Sequence, residues 1–370
     1  MRLGYEERKM IMDRFGVDKL WSFSRLSTYL NSPWEYKLSY IDKVERGSNV
    51  YFDFGTMSHN CIQDFYDGKL EYDEMIEEFD KQTLDWRMNS KNKFMSENVE
   101  AGYIKNLRNY FQTTEIIPFE VKNEKPVCIH IRDDKRDKDI VFIGYVDSEY
   151  VDEDGVLNIV DYKTSSKSGF SGAGLKEHSR QLALYACGIN QFRKIPFEKI
   201  RLRFDMMKYY NVEYTQKNGK VAVSKQERCK WVGGMVAKLR KDLASTGLDP
   251  FEVDEIVENA VEANSLVGIP QEIKDKFTLK NCYIDVTITE EEANEMKQFI
   301  CDVVDEIDTK EKSDDLEKAF PEPILNESNS FYFTQLASHL LKYHKGYQEE
   351  LKMTKPENEV ADEDLLALFN

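Results

Sequence analysis

The chain has 370 residues, 41% of them hydrophobic, enough to bury the core of one large domain or two modest ones. Lysine and arginine number 51 against 68 acids, a formal charge of −17. This excludes a protein that coats nucleic acid through its net charge, but not an enzyme with a local basic groove. The six cysteines, Cys61, Cys128, Cys187, Cys229, Cys282 and Cys301, are nowhere closer than nineteen positions apart, which excludes a CxxC pair or a zinc ribbon. Most of them sit in apolar patterns and read as buried thiols. With no signal pattern and no apolar run of membrane-span length, the expectation is a soluble, cytoplasmic protein without a membrane partner.

The patterns divide the chain into an N-terminal extension (1–20), a helical part (21–120), a sheet core with the helix after it (121–215), a second helical part (216–345) and an acidic tail (346–370). In residues 21–41, Ser22 or Ser24 can cap a helix whose apolar stripe is Leu26, Tyr29 and Leu30. Pro33 then restarts the chain with Trp34 and Tyr36. Gly55 and Thr56 fit a second helix start, which places His59, Ile62, Gln63 and Tyr66 on one face. A histidine on such a face is ordinarily a core residue. Residues 72–115 are charged and helical in pattern, with Trp86, Phe94, Tyr103, Leu107 and Tyr110 as the predicted buried positions.

Residues 118–131 and 140–163 read as strands, separated by the solvated turn RDDKRDKD. The stretch VLNIVDYKT at 156–164 ends a strand on an acid, an aromatic and a lysine. Alternation puts Asp161 and Lys163 on one face and Val160 and Tyr162 on the other. Asp147 lies at the polar break of the preceding strand. Such a set can be an ordinary ion pair at a sheet end, worth little. It can equally be two acids that hold a hard metal beside a charged helper, because buried charge must be paired or ligated.

The loop SSKSGFSGAG at 165–174 reads as flexible. It is no phosphate-binding P-loop, since Gly174 is followed by Leu175 rather than Lys-Ser/Thr. Its place after the strand makes Ser165, Ser166 and Lys167, with Arg180 beyond, candidate contacts to a nucleic-acid backbone. Residues 179–191 form a helix in which Gln181 and Tyr185 share a face at i and i+4. A strand pattern follows at 199–210, then helices and loops to about 345. Residues 225–241 are basic (Lys225, Arg228, Lys230, Lys238, Arg240, Lys241), either facing DNA or forming a solvated helix face. The last stretch is acidic and ends in DLLALFN.

Five pieces occur in a fixed order: SFSRLSTYLNSPWEYK at 22–37, GTxxH at 55–59, GYVD at 144–147, DYKT at 161–164 and QLALY at 181–185. Together they resemble the PD-(D/E)XK nucleases, specifically the RecB-like exonuclease branch that includes the CRISPR-adaptation nucleases. The likeness covers 21–66 and 141–187 well and the remainder weakly. It implies an α/β, restriction-endonuclease-like core, a central mixed sheet flanked by helices, with helical additions at both ends. It also implies metal-dependent hydrolysis of DNA phosphodiesters in phage or bacterial replication, recombination or repair. On that likeness Asp147, Asp161, the Tyr162 carbonyl and His59 would hold Mg²⁺ or Mn²⁺. Lys163 would orient or deprotonate the water and offset transition-state charge, and Gln181 and Tyr185 would position the lysine or the DNA.

One departure stands out. Many members of that branch hold an iron–sulfur cluster through one cysteine in the opening helix and three near the C-terminus. Here the opening position is Ser32, and residues 326–340 contain no cysteine; by spacing, Phe331, Thr334 and Leu340 take those places. The chain is therefore expected to lack the cluster and to join its two ends by apolar packing. The tail peptide from Asp364 to Phe369 resembles the leucine–phenylalanine peptides that bind sliding clamps, although a frayed C-terminus reads the same way. The competing readings are an endonuclease on the same core and a binding protein on a nuclease fold, the latter weakened because both acids and the lysine are present.

Overall fold

The computed structural model describes residues 2–354, so the leucine–phenylalanine peptide at 364–369 lies outside the described residues. The chain forms two compact units, Met1–Phe23 with Phe54–Cys301, and Ser24–Asp53 with Asp302–Asn370. Among the described residues no helix is long and apolar enough to cross a membrane.

The larger unit is built on six strands: β1 (Lys122–Asp133), β2 (Lys138–Val151), β3 (Leu157–Lys163), β4 (Ile200–Thr215), β5 (Val221–Glu227) and β6 (Phe277–Val286). They run in the order β1-β2-β3-β4-β5, with β6 also paired to β4. Only β3 and β4 pair in parallel. A parallel neighbour requires a crossover, and the helices Gly172–His178 and Arg180–Arg193 supply it. Every residue of β3 except Lys163 is buried, as a strand covered on both faces must be.

The helix Arg180–Arg193 approaches the sheet closely because two glycines leave room. A Cβ on Gly188 would lie 2.5 Å from the Cys128 carbonyl oxygen of β1, and one on Gly144 of β2 would lie 2.1 Å from the Tyr185 ring. The Gly188 obstacle is backbone, so Gly188→Ala must lift the helix off β1. The expected cost is about 1–3 kcal/mol of stability, read as a lowered urea midpoint; an unchanged midpoint would show that the contact is not tight.

Several expectations need correction. Residues 216–345 are not wholly helical, since β5 and β6 both join the sheet. Their apolar alternation is interrupted by Ser224, Lys225, Lys280 and Asn281, which hid it. The His59 helix starts at Val50 rather than Gly55 (Val50–Tyr66), because the Asn49 side chain accepts the Phe52 N–H at 2.9 Å and so caps it. The basic segment 225–241 is not one helix. It starts in β5, turns through Arg228–Lys230 and becomes helical only over Val236–Ala244. The predicted buried residues of 72–115, Trp86, Phe94, Tyr103, Leu107 and Tyr110, are all in the core. Four of the six thiols are buried, and Cys128 and Cys229 are half-buried.

In the smaller unit Ser32 caps the turn Pro33–Tyr36 by accepting the Glu35 N–H at 3.2 Å. Trp34 and Leu38 pack with Phe333, Ala337, Leu340 and Leu341 in one apolar cluster. Tyr332 donates to Glu35, and Glu311 accepts from both Arg25 at 2.9 Å and Tyr36 at 2.6 Å. Apolar and charged contacts thus tie the N-terminal segment of this unit to its C-terminal one. Of the spacing-matched positions, Ser32 and Leu340 are buried, Phe331 is half exposed, and the Thr334 hydroxyl donates to the Ser330 carbonyl.

Candidate active site

The β2–β3 ladder ends at the pair Ser148↔Val160. Asp147 and Asp161 are the next residue on each strand, where the antiparallel pairing has stopped. Two acids are thereby brought to one sheet end. Asp161 is 8% exposed at its side chain and receives the Lys163 ammonium at 2.7 Å, as the alternation of β3 predicts. Asp147 accepts the Tyr162 N–H at 3.3 Å. His59 stands against the same end, with Nε2 donating to the Tyr162 carbonyl at 2.7 Å and Nδ1 3.4 Å from Asp147.

Burial, and after it the charge of Asp161, push the Asp147 carboxyl up to about 6, against the opposing pull of His59 and Lys163. The two acids therefore press on each other electrostatically. Burial works against the Lys163 ammonium, but the charge and hydrogen bond of Asp161, joined by the charge of Asp147, outweigh it and hold the lysine above its ordinary value. Lys163 is a committed cation and a hydrogen-bond donor.

Gln181 donates to the Tyr185 hydroxyl at 2.9 Å, as the i, i+4 spacing predicts. Burial raises the Tyr185 phenol to about 12, with both acids adding to the rise; its hydroxyl stays protonated on the side of the acids. The structure thus brings His59, Asp147, Asp161, Tyr162, Lys163 and Tyr185 into one neighbourhood, with Gln181 behind the tyrosine.

The remaining candidates divide. Ser165 and Ser166 are exposed on the loop after β3. The Lys167 ammonium donates to the Lys225 carbonyl at 2.6 Å and lies 5.4 Å from the Tyr209 ring. Arg180 stacks over Phe299 at 4.6 Å and lines a cleft of about 520 Å³ with Asp285 and Glu292. That cleft carries acids as well as cations, which weakens Arg180 as a phosphate contact.

Sequence reasoning missed the wall under Lys163. The Lys163 ammonium lies 5.8 Å from the Phe204 ring, Phe204 meets Phe170 edge-on at 4.9 Å, and Phe170 stacks on His178 at 4.5 Å. Burial lowers the His178 pKa, and the charges of Lys163 and Asp161 both reach it. Phe170 is 6% exposed, so it pins a loop whose serines and glycines read as flexible.

The donors suit a hard divalent cation in type: two carboxylates at mutual charge strain and a carbonyl. Among the described residues, however, no three His, Cys, Asp or Glu side chains are gathered into a metal-holding cluster. His59 bonds the Tyr162 carbonyl through Nε2–H, which leaves its Nδ1 on the side of Asp147 and a second lone pair on the carbonyl, so both can serve as ligands with that bond in place.

The sequence model of the PD-(D/E)XK nuclease superfamily matches residues 20–315. No curated protein matches. A solved structure, described as the crystal structure of SSO0001, aligns at 13% identity over 67% of this chain and 95% of that one, with a TM-score of 0.19. At that score the likeness carries no argument.

Proposed function

Because the chain belongs to the PD-(D/E)XK nuclease superfamily, we propose that it is a metal-dependent DNA exonuclease of the RecB-like kind, acting in phage or bacterial replication, recombination or repair. The observation that carries this reading is the pair Asp147 and Asp161 at the open end of β2 and β3, with Lys163 2.7 Å from Asp161. An inactivated copy of the fold has no need to retain a half-buried lysine on a buried acid. The exonuclease assignment rests on the His59 helix and the Gln181–Tyr185 helix, which the sequence likeness ties to that branch.

Asp147, Asp161 and the Tyr162 carbonyl would hold Mg²⁺ or Mn²⁺, with His59 Nδ1 as a further donor while Nε2–H keeps its bond to the carbonyl. Bound there, the ion would supply an activated water and neutralise charge on the phosphate. Lys163, kept cationic by Asp161, donates to the phosphoryl oxygens or orients the attacking water, and its ammonium offsets the charge that grows as the bond to the leaving oxygen breaks. Its raised pKa favours this role over that of a base. Tyr185, held by Gln181, positions the lysine or a strand oxygen. The proposal includes no iron–sulfur cluster, because Ser32 stands at the opening position and residues 326–340 contain no cysteine, and it includes a docking role for the tail peptide toward a sliding clamp.

The test is digestion of end-labelled linear and covalently closed DNA, single- and double-stranded, with Mg²⁺, Mn²⁺ or EDTA. Metal-dependent loss of linear DNA alone supports the exonuclease, with the label giving polarity. Cutting of closed circles assigns an endonuclease, and DNA binding without cleavage assigns a binding protein.

A further inference from the structure

The opposite end of the β3 loop leads to a feature that the sequence broke into unrelated pieces. Between Asp205 and Tyr210 the β4–β6 register shifts, so that β4 bulges. Lys208 lies in the bulge, its ammonium 4.1 Å from the Tyr103 ring. Tyr209, beside it, accepts the backbone N–H of Lys167 at 3.4 Å and pairs with Glu227 of β5. Around Glu227 the chain gathers further cations. Lys230 meets its carboxylate at 3.0 Å, and Lys105 follows from the helix Glu97–Thr113, whose Asn106 donates to Glu227 at 3.4 Å and accepts the Cys229 N–H at 2.8 Å. The charges of Lys105 and Lys230 both reach Cys229, and that of Glu227 reaches Lys208.

Lys230 thus pairs with Glu227, the charge of Glu227 reaches Lys208, and that of Lys105 reaches Cys229 two residues on, a local gathering of cations in a chain whose formal charge is −17. Burial lowers the Lys208 pKa to about 8, a cost that an approaching anion would relieve. The patch adjoins the site, since Lys163 pairs with Met206 of β4, two positions before Lys208, and the N–H of Lys167, four positions after Lys163, reaches Tyr209.

We infer that a nucleic-acid strand whose scissile phosphate lies at Asp161 and Lys163 continues over the β4 bulge, with its flanking phosphates held by Lys208, Lys230 and Lys105. This rests on the nuclease reading and adds the path of the strand. Contacts of this kind go to the backbone and carry no sequence information, so the substrate is recognised without regard to sequence.

The experiment measures binding of fluorescent oligonucleotides of two unrelated sequences to the full chain carrying Asp161→Asn, in EDTA, across salt concentration. Adding Lys105→Gln, Lys208→Gln and Lys230→Gln is expected to weaken both complexes equally and to reduce the slope of log affinity against log salt by about 3. The charge-matched control, Lys238→Gln, Arg240→Gln and Lys241→Gln on the helix Val236–Ala244, is expected to leave the slope within about 1 of the parent. An unchanged slope in the first set, or an equal loss in both, overturns the path while leaving the nuclease reading intact. A parent that binds no DNA overturns the nuclease reading and the path with it.

Discussion

Replacing Lys163 with alanine is expected to lower DNA hydrolysis by about 10²–10³-fold, the usual cost of removing one preorganised donor from a site where charge develops. The side chain is 30% exposed, enough to meet a phosphate, yet tied at 2.7 Å to an acid that is 8% exposed. Its pKa is held above the ordinary lysine value by Asp161 against burial, so at neutral pH it always carries its proton. The loss should therefore fall on turnover, with affinity for DNA changing far less, because one ammonium among several is a small part of backbone binding. Asp161→Asn is the companion variant: it removes a candidate ligand and leaves Lys163 without its partner. Both should keep the far-ultraviolet circular dichroism of the parent. Hydrolysis within about tenfold of wild type in Lys163→Ala would remove the lysine from the mechanism.

The residues that carry this prediction were legible because their relationship is local. A period of two fixes Asp161 and Lys163 on one face whatever the rest of the chain does, and a period of 3.6 does the same for Gln181 and Tyr185. The place of Asp147 was legible one step less directly, through an adjacent strand with a short turn. What failed were assignments that only tertiary packing decides. Phe170 lies between serines and glycines and gives no local sign of burial, yet it stacks on His178 and reaches Phe204 through the crossover. Asn49 caps its helix from a stretch assigned no element from its sequence, whereas Gly55, which reads as a start, is interior. The basic run 225–241 looked uniform, but Lys225 stands on the edge strand β5, Lys230 pairs with Glu227 from the turn after it, Arg240 pairs with Asp254 at 3.0 Å, and Arg228 is fully buried. Charge counts along a chain cannot separate a surface cation from one held in a core by acceptors that arrive from distant segments.

Arg228 carries the second large effect. Its Nε–H donates to the Met207 carbonyl inside the β4 bulge at 2.8 Å, and its terminal nitrogens donate to Thr113 at 3.2 Å and Asn281 at 2.9 Å. The guanidinium lies between the rings of Tyr110 and Tyr210, 4.8 and 4.1 Å from their centroids. One side chain thus fastens the bulge to β6 and to the helix Glu97–Thr113. Arg228→Leu keeps much of the volume but takes the guanidinium donor from the buried Met207 carbonyl and one of two donors from the buried Asn281 side chain, and it is expected to cost about 3–5 kcal/mol, a fall in Tm of roughly 10 °C. Asp205, 1% exposed, gives the loss a pH signature. Burial raises its carboxyl to about 6, while Arg228 is the first influence holding it down. A carboxyl whose folded pKa is raised binds its proton more tightly in the native state, so its ionisation penalises folding above the unfolded pKa, and the penalty is complete above the folded one. Removing Arg228 raises the folded pKa further. The stability gap between wild type and Arg228→Leu should therefore be wider at pH 8 than at pH 5, and Arg228→Leu with Asp205→Asn should lose that pH dependence while keeping most of the gap. A gap equal at both pH values in the single variant would show that Arg228 acts through its hydrogen bonds and ring contacts alone.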